Sequence, residues 1–385
     1  MNRGSVQTSL PLVLALAAVA LVLSGPASAD AGEARTPRAV DFEQRVPDPV
    51  HLDQGASRSG GGRDPVLWRT PAIEAPKRFD LVGIVGETRP LDFRVRSDGG
   101  PWSEWVTVGD GDPLYGGGSD VVQIRSRGAR IDGRLHYVNV SGDATPEQAM
   151  RTGLDEVSRS AAHPARAGGA EAGLAPKPDF VTRRQWGANK RRGGCHPRVH
   201  ADYGRVKAAA VHHTVSANDY SEAEAPGIVL GICRFHRNGN GWNDIGYNAL
   251  VDRFGNVYQG RAGGMKRPVV GAQAEGYNSL TTGVAMIGTY TSAKPPRAQR
   301  RGLVHYLAWK LGVHDLNPTG RTHLRSAGGS TNRYPDGARV VVKRIFAHRD
   351  TNYTECPGRK LKRELPKLRR KVERRMERFA GAGRG

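Results

Sequence analysis

After residue 25, the sequence has no long hydrophobic run. No later stretch could cross a bilayer, which needs about 20 consecutive apolar residues. The chain also lacks a nucleic-acid-binding motif, although 58 basic and 37 acidic residues give it a formal charge of +21. A hydrophobic fraction of 38% with 50 glycines is typical of globular domains with flexible joints, and it argues against a disordered polymer.

Residues 1–29 have the pattern of a secretory signal peptide. Arg3 supplies a positive start, an apolar run follows, and Ala27-Ser28-Ala29 is a small-residue cleavage site. The alternative is a single membrane anchor, but the apolar run is shorter than a bilayer requires. We therefore expect a secreted or cell-wall protein with no integral membrane segment in the mature chain. Its positive charge then favours anionic cell-wall polymers over nucleic acid as partners.

Composition divides the rest of the chain into five parts. Residues 30–75 are polar and rich in Pro and Gly, which predicts an extended lead-in. Residues 76–143 contain short alternating runs, which predict a small all-β, sandwich-like module. Residues 144–178 are rich in Ala, Gly and Pro and indicate a linker. Residues 179–370 alternate between helix and strand patterns, and 371–385 form a basic C-terminal tail.

The largest of these parts has the pattern of an α/β domain. A buried strand ends at His212, an amphipathic helix is predicted over 222–237, and a hairpin turns near Phe254. A further helix is predicted over 297–314, and a last strand leads to His348. We expect a central mixed β-sheet flanked by helices, with the ends of its strands beside loops that open to solvent.

Three residues of this domain are candidate metal ligands: His212 in "VHHT", His348 in "AHRD" and Cys356 in "TECPG". Imidazole and thiolate suit Zn²⁺, and three protein ligands leave a fourth tetrahedral position open, as in catalytic sites. A structural site more often has a fourth Cys or His close in sequence, and none follows Cys356. His213 must point to the opposite face of the strand from His212, so only one of them faces the metal.

The segments around these residues resemble the peptidoglycan recognition proteins and the zinc N-acetylmuramoyl-L-alanine amidases. The resemblance covers residues 180–368 and rests on separate blocks in the same order, among them "RRQWGAN", "VHHT", "GYNALVDRFGNVYQGR", "TTGVAMIGTY" and "AHRDTNYTECPG". It implies a Zn²⁺ cofactor, His212 as the ligand instead of His213, and hydrolysis of the amide between N-acetylmuramic acid and L-alanine in peptidoglycan. The alternative is a recognition protein that binds peptidoglycan without cutting it, and such members usually lack the ligand cysteine.

The resemblance also implies roles for further residues. Tyr247 matches a tyrosine beside the zinc whose hydroxyl can bind the water or the developing oxyanion, and the Thr354 hydroxyl can donate to the tetrahedral intermediate. His236, Gln273 and Asn278 match positions of the substrate groove, and many relatives have histidine where this chain has Gln273. Ordinary structural roles stay open for His236 and Asn278.

Two cysteines remain if Cys356 holds the metal. Similar bridges in related proteins imply a disulfide between Cys195 and Cys233. Two alternatives stay open, namely a pair of buried free thiols and a disulfide that includes Cys356. Asp350 lies two residues after His348, where its carboxylate can orient the ligand imidazole or cap the loop.

Overall fold

The computed structural model describes residues 38–52, 65–87, 89–109, 111–140 and 173–382. The predicted signal peptide, residues 1–29, and most of the predicted linker, residues 144–178, lie outside these ranges. Among the described residues, no helix combines the length and the apolar character that crossing a bilayer requires.

An antiparallel sheet forms the N-terminal β module. Its strands are β1 (Val40–Arg45), β2 (Val50–His51), β3 (Trp68–Arg69), β4 (Ile73–Ile84), β5 (Leu91–Arg96), β6 (Val106–Val108), β7 (Leu114–Ser126) and β8 (Arg134–Asn139). They follow the order β1-β8-β4-β7-β3-β2, and β5 pairs with both β6 and β7. Their inward side chains meet in an apolar core that includes Phe79, Ile124 and Tyr137. The predicted all-β module is confirmed as an antiparallel sheet.

The described part of the extended lead-in predicted over residues 30–75 contains strands β1, β2 and β3 and the start of β4. Strand β1 pairs with β8 along its whole length, from Val40 opposite Asn139 to Arg45 opposite Arg134. The segment has two apolar side chains among six residues, too few to show a clear strand alternation. It is a strand because it pairs with a distant strand, and the local pattern does not contain that information.

The rest of the described chain is an α/β domain. Its strands are β9 (Phe180–Val181), β10 (Ala208–His213), β11 (Ala249–Val251), β12 (Val257–Gln259), β13 (Thr281–Met286), β14 (Arg321–Arg325), β15 (Arg339–Lys343) and β16 (Ile345–Ala347). Its helices are α1 (Ala225–Arg234), α2 (Arg297–Val313) and α3 (Arg359–Ala382). A mixed sheet has the order β16-β10-β13-β11-β12-β9, and β14 pairs with β15. The predicted mixed sheet flanked by helices is confirmed.

Helices cover both faces of the mixed sheet. Helices α2 and α3 bury Leu307 and Leu365 on one face, against a cluster that includes Val284 of β13. Helix α1 buries Ile228 on the other face, in a cluster with Ala285. Successive residues of a strand point to opposite faces, so β13 contributes to both apolar clusters.

Helix α3 continues to residue 382, so the described part of the basic tail predicted over 371–385 belongs to this helix. The helix is amphipathic, as the sequence pattern indicates. Lys and Arg occupy its exposed side, and its buried side chains are Leu361, Leu365, Leu368 and Val372.

The β module packs directly on helix α1. Leu81 of β4 and Val138 of β8 belong to the same apolar cluster as the inward side chains of α1. At the edge of this contact, Nε of Arg234 lies 2.9 Å from Oδ1 of Asp41. The β module and the α/β domain lie within one compact unit, residues 37–385.

Replacing Gly83 by alanine should weaken the packing of the β module. A Cβ at this position of β4 would lie 2.4 Å from Cζ of Phe235, whose ring is fully buried. Overpacking of this kind costs about 1–3 kcal/mol, so the free energy of unfolding in urea should fall by that amount. Gly128→Ala is the control, because a Cβ there meets nothing within 4 Å. Equal stability of the Gly83 variant and the wild type would contradict the prediction.

Candidate metal centre

Two histidines come together because two adjacent strands are parallel. Strands β10 and β16 pair in a register that sets Val211 opposite Ala347. His212 and His348 are the next residues in the direction of the two strands, so they lie side by side at the same end of the sheet. The centroids of their imidazole rings are 4.5 Å apart. The pairing of the strands thus sets the spacing of these side chains.

Cys356 completes a group of three potential ligands. It lies in the loop before α3, and its Sγ is 3.5 Å from Nδ1 of His212. Donor atoms of His212, His348 and Cys356 all lie within 4.8 Å of one another, and the three residues are buried. A thiolate and an imidazole on one tetrahedral zinc ion are expected about 3.6 Å apart, from the usual bond lengths. The spacing and the chemistry of the ligand triad, His212, His348 and Cys356, therefore fit zinc.

Gln273 orients the first of these ligands. Its Oε1 lies 2.6 Å from Nε2 of His212, while Nδ1 of the same ring faces Cys356. Its Nε2 donates to Oγ1 of Thr281, whose own proton goes to the carbonyl oxygen of Tyr277. This chain of donors turns the amide oxygen toward the imidazole, so Nε2 of His212 carries the proton and Nδ1 is left for the metal. A place for Gln273 in the substrate groove stays a prediction.

Burial keeps the histidines of this region neutral. Desolvation lowers the pKa of His212 and of His213 from 6.5 to about 4, and that of His348 well below 6.5. Neutral imidazole is the form that binds a metal ion. His213 lies on the other side of β10, where its Nδ1 accepts a hydrogen bond of 3.1 Å from the Tyr290 N–H. The strand alternation thus places the candidate ligand His212 and His213 on opposite sides of β10.

These lowered pKa values predict a loss of stability in mild acid. The unfolded chain binds more protons than the folded one between pH 6.5 and about 4, because burial depresses the pKa of His213 only in the folded state. The stability that the buried, neutral side chain of His213 contributes is therefore fully present above pH 6.5 and is lost as the pH falls toward 4. Urea unfolding of the metal-free protein should depend more steeply on pH in this window than unfolding of His213→Asn. Parallel curves would contradict the prediction.

Removing the acceptor behind His212 should weaken metal binding. The variant Gln273→Leu leaves the Nε2 proton of His212 without its partner, and such changes cost about 10–100-fold in metal affinity. Gln273→Glu is the matched control, since a carboxylate oxygen can accept the same proton. Competition with a chromophoric chelator measures the zinc affinity of both variants. A leucine variant that binds zinc as tightly as the wild type would disprove the orienting role.

Tyr247 and His236 lie beside the triad and share a partner from the β module. The ring centroids of Tyr247 and His212 are 5.2 Å apart. The Tyr247 hydroxyl donates to Asp112, whose Oδ1 and Oδ2 lie 2.8 and 2.7 Å away. Nε2 of His236 is 3.0 Å from Oδ1 of the same carboxylate. The sequence analysis missed Asp112, because no local motif surrounds it and it lies 135 residues from Tyr247.

Two further residues hold the loop of the ligand cysteine. Oγ1 of Thr354 accepts a hydrogen bond of 3.0 Å from the N–H of Cys356. Asp350 accepts one of 3.0 Å from the N–H of Ala347 and pairs with Lys362 at 2.7 Å. Of the two roles that the sequence left open for Asp350, these contacts match the loop cap.

Asn278 also has a structural contact. Its Oδ1 accepts hydrogen bonds of 2.8 and 2.9 Å from the N–H groups of Gln273 and Ala274. The side chain thereby fixes the loop that carries Gln273. A role for Asn278 in binding substrate stays a prediction.

Cys195 and Cys233 form a disulfide, with 2.04 Å between their sulfur atoms. It joins the loop before β10 to helix α1, as the sequence resemblance implies. Cys356 is buried and is not part of a disulfide. Both alternatives, free thiols at the first two positions and a bridge to Cys356, are therefore wrong.

Comparison with known proteins finds relatives of the α/β domain. Residues 202–359 match the model of the family described as N-acetylmuramoyl-L-alanine amidase. Peptidoglycan-recognition protein SA of Drosophila melanogaster is 30% identical over 140 residues, which are 36% of this chain and 64% of that protein. Peptidoglycan-recognition protein LE of the same organism is 31% identical over 160 residues, which are 42% of this chain and 39% of that protein.

A solved structure also matches about half of this chain. The wild-type Drosophila protein PGRP-LB is 24% identical, with a TM-score of 0.37, and the match covers 49% of this chain and 92% of that one. The chain thus spans 64% and 39% of the two curated relatives named above. Residues 202–359 are therefore similar to the N-acetylmuramoyl-L-alanine amidase family.

Proposed function

We propose that this protein is a zinc-dependent N-acetylmuramoyl-L-alanine amidase that hydrolyses the amide between N-acetylmuramic acid and L-alanine in peptidoglycan. The observation that carries this proposal is the ligand triad, whose donor atoms lie within 4.8 Å of one another. The triad lies in the segment that is similar to an amidase family, which supports the same substrate. Three protein ligands leave one tetrahedral position open, as a hydrolytic site requires.

Zinc and two neighbouring hydroxyl groups would have different roles in the hydrolysis. Zinc in this site would act as a Lewis acid and would lower the pKa of water toward about 7. The oxygen of Thr354 accepts the Cys356 N–H, so its hydroxyl proton is left for the carbonyl oxygen that gains negative charge. Tyr247 donates its single proton to Asp112, so in this arrangement it does not supply the oxyanion contact that we expected from the sequence.

The relatives favour a second candidate, a protein that binds peptidoglycan without cutting it. Both curated relatives described above are named as recognition proteins. Cys356 favours the amidase, because a buried cysteine beside two neutral imidazoles can form a zinc ligand set and a binding groove alone does not need one. Turnover separates the two candidates.

The test is zinc-dependent release of stem peptides from purified cell wall. The purified protein should release them, and a chelator should abolish the release until zinc is restored. His348→Ala and Cys356→Ser should each lose nearly all activity and stoichiometric zinc, because two ligands hold the ion much less tightly than three. His213→Asn is the matched control and should retain zinc, because His213 contacts Tyr290 on the other side of the strand. Full activity in either ligand variant would contradict the proposed site.

We further propose that the protein acts outside the cell, at the wall. The signal-peptide pattern of residues 1–29 and the formal charge of +21 support this location. The exposed side of α3 concentrates basic residues, and such a surface attracts polyanions through its summed field. We propose anionic wall polymers, rather than nucleic acid, as the partners of this surface.

A further inference from the structure

Asp112 brings the β module into contact with the candidate metal centre. It lies in the connection between β6 and β7, far from the triad in sequence, and its side chain is 11% exposed. Its carboxylate contacts Tyr247 and His236, which are themselves almost fully buried. A carboxylate at such a place requires an explanation, because burying it is costly unless hydrogen bonds compensate.

The hydrogen bonds of this cluster have a defined direction. Nδ1 of His236 accepts a hydrogen bond of 3.1 Å from the N–H of Gly246. The proton of the neutral ring therefore sits on Nε2, which donates to Oδ1 of Asp112 at 3.0 Å. A phenol has one proton, and the one on Tyr247 also goes to Asp112. The phenol oxygen is consequently an acceptor toward any further partner.

The loop of Asp112 is held on both sides. Nδ2 of Asn240 donates to the carbonyl oxygen of Gly111 at 2.6 Å. Gly111 has φ +77°, and a Cβ there would lie 2.9 Å from the same Nδ2, so the position requires glycine. After the loop, Tyr115 forms a parallel bridge with Ser216, which follows the strand of His212. Neighbours on both sides thus fix the carboxylate at the site.

The interface behind this loop has the character of a permanent contact. Leu81 and Val138 of the β module are fully buried in the apolar cluster of helix α1. A Cβ at Gly231 of α1 would lie 2.1 Å from Cδ1 of Leu81, so helix and sheet approach as closely as glycine allows. A removable plug would have to expose this apolar surface each time it left. The packing therefore favours a constant part of the site over an inhibitory plug.

We propose that Asp112 is a positioning residue of the hydrolytic site: it takes the phenol proton of Tyr247 and thereby turns the phenol oxygen into a proton acceptor toward the ligand triad. This inference rests on the proposed amidase function. It makes the β module part of the catalytic unit, because the α/β domain alone lacks this carboxylate.

The proton path of the reaction follows from this arrangement. As the oxygen of the attacking water bonds to the carbonyl carbon, one water proton passes to the phenol oxygen of Tyr247 and the phenol proton passes to Asp112. When the bond between carbon and nitrogen breaks, the proton returns through Tyr247 to the nitrogen of L-alanine. The products are one carboxylic acid and one amine, and Asp112 and Tyr247 are restored. General acid–base assistance of this kind contributes about 10²–10⁴-fold to a rate.

The kinetic test compares Asp112→Asn with Asp98→Asn, which removes the same charge from an exposed turn of the β module. Asp112→Asn should lower kcat about 100-fold with KM changed less than about threefold. In a Tyr247→Phe background, the same change should cost less than about twofold more, because both residues serve one proton path. Asp98→Asn should match the wild type. Unchanged or increased kcat in Asp112→Asn, or losses that multiply in the double variant, would overturn the proposal.

A second measurement does not depend on turnover. In chelated protein labelled with ¹³Cζ-tyrosine, the Tyr247 resonance is identified by its absence from Tyr247→Phe. Asp112→Asn should shift this resonance, and Asp98→Asn should leave it in place. A wild-type protein that releases no peptide would contradict the amidase function. The resonance would still show whether Asp112 accepts the hydrogen bond of Tyr247. A resonance unmoved by Asp112→Asn would overturn the contact itself.

Discussion

The parallel pairing of β10 with β16 is the constraint on which the candidate site depends. It sets Val211 opposite Ala347, so the next residues, His212 and His348, leave one end of the sheet together. The loop that follows His348 then returns Cys356 to within 3.5 Å of His212. Gln273 and Thr354 act on this arrangement by orienting one imidazole and holding the cysteine loop. His348 would not lie beside His212 if β16 lay elsewhere in the sheet.

The site is also where two parts of the chain become one unit. The α/β domain supplies the triad and Tyr247, and the β module supplies the carboxylate that receives the tyrosine proton. Close packing makes this possible, since Gly83 leaves room for the ring of Phe235 and Gly231 leaves room for the side chain of Leu81. The apolar contact fixes the module, and the fixed module keeps Asp112 within hydrogen-bond distance.

The sequence was informative where a residue and its local pattern act together. The family resemblance of the "VHHT" and "TECPG" segments implied His212 and Cys356 as candidate ligands, and alternating helix and strand patterns predicted the mixed sheet. It was uninformative where a role depends on a distant partner. Strand β1 exists through its pairing with β8, and Asp112 and Gln273 have roles only through contacts made in the folded chain. The local sequence pattern cannot predict contacts with residues that lie far away in the chain.

X-ray absorption at the zinc K edge of the purified protein tests the central claim most directly. The account predicts one zinc ion per chain with one sulfur ligand at about 2.3 Å and a remaining shell of nitrogen and oxygen at about 2.0–2.1 Å. Any zinc that Cys356→Ser still binds should show no sulfur contribution. A shell without sulfur, or one dominated by several sulfur ligands, would contradict a centre built from His212, His348 and Cys356.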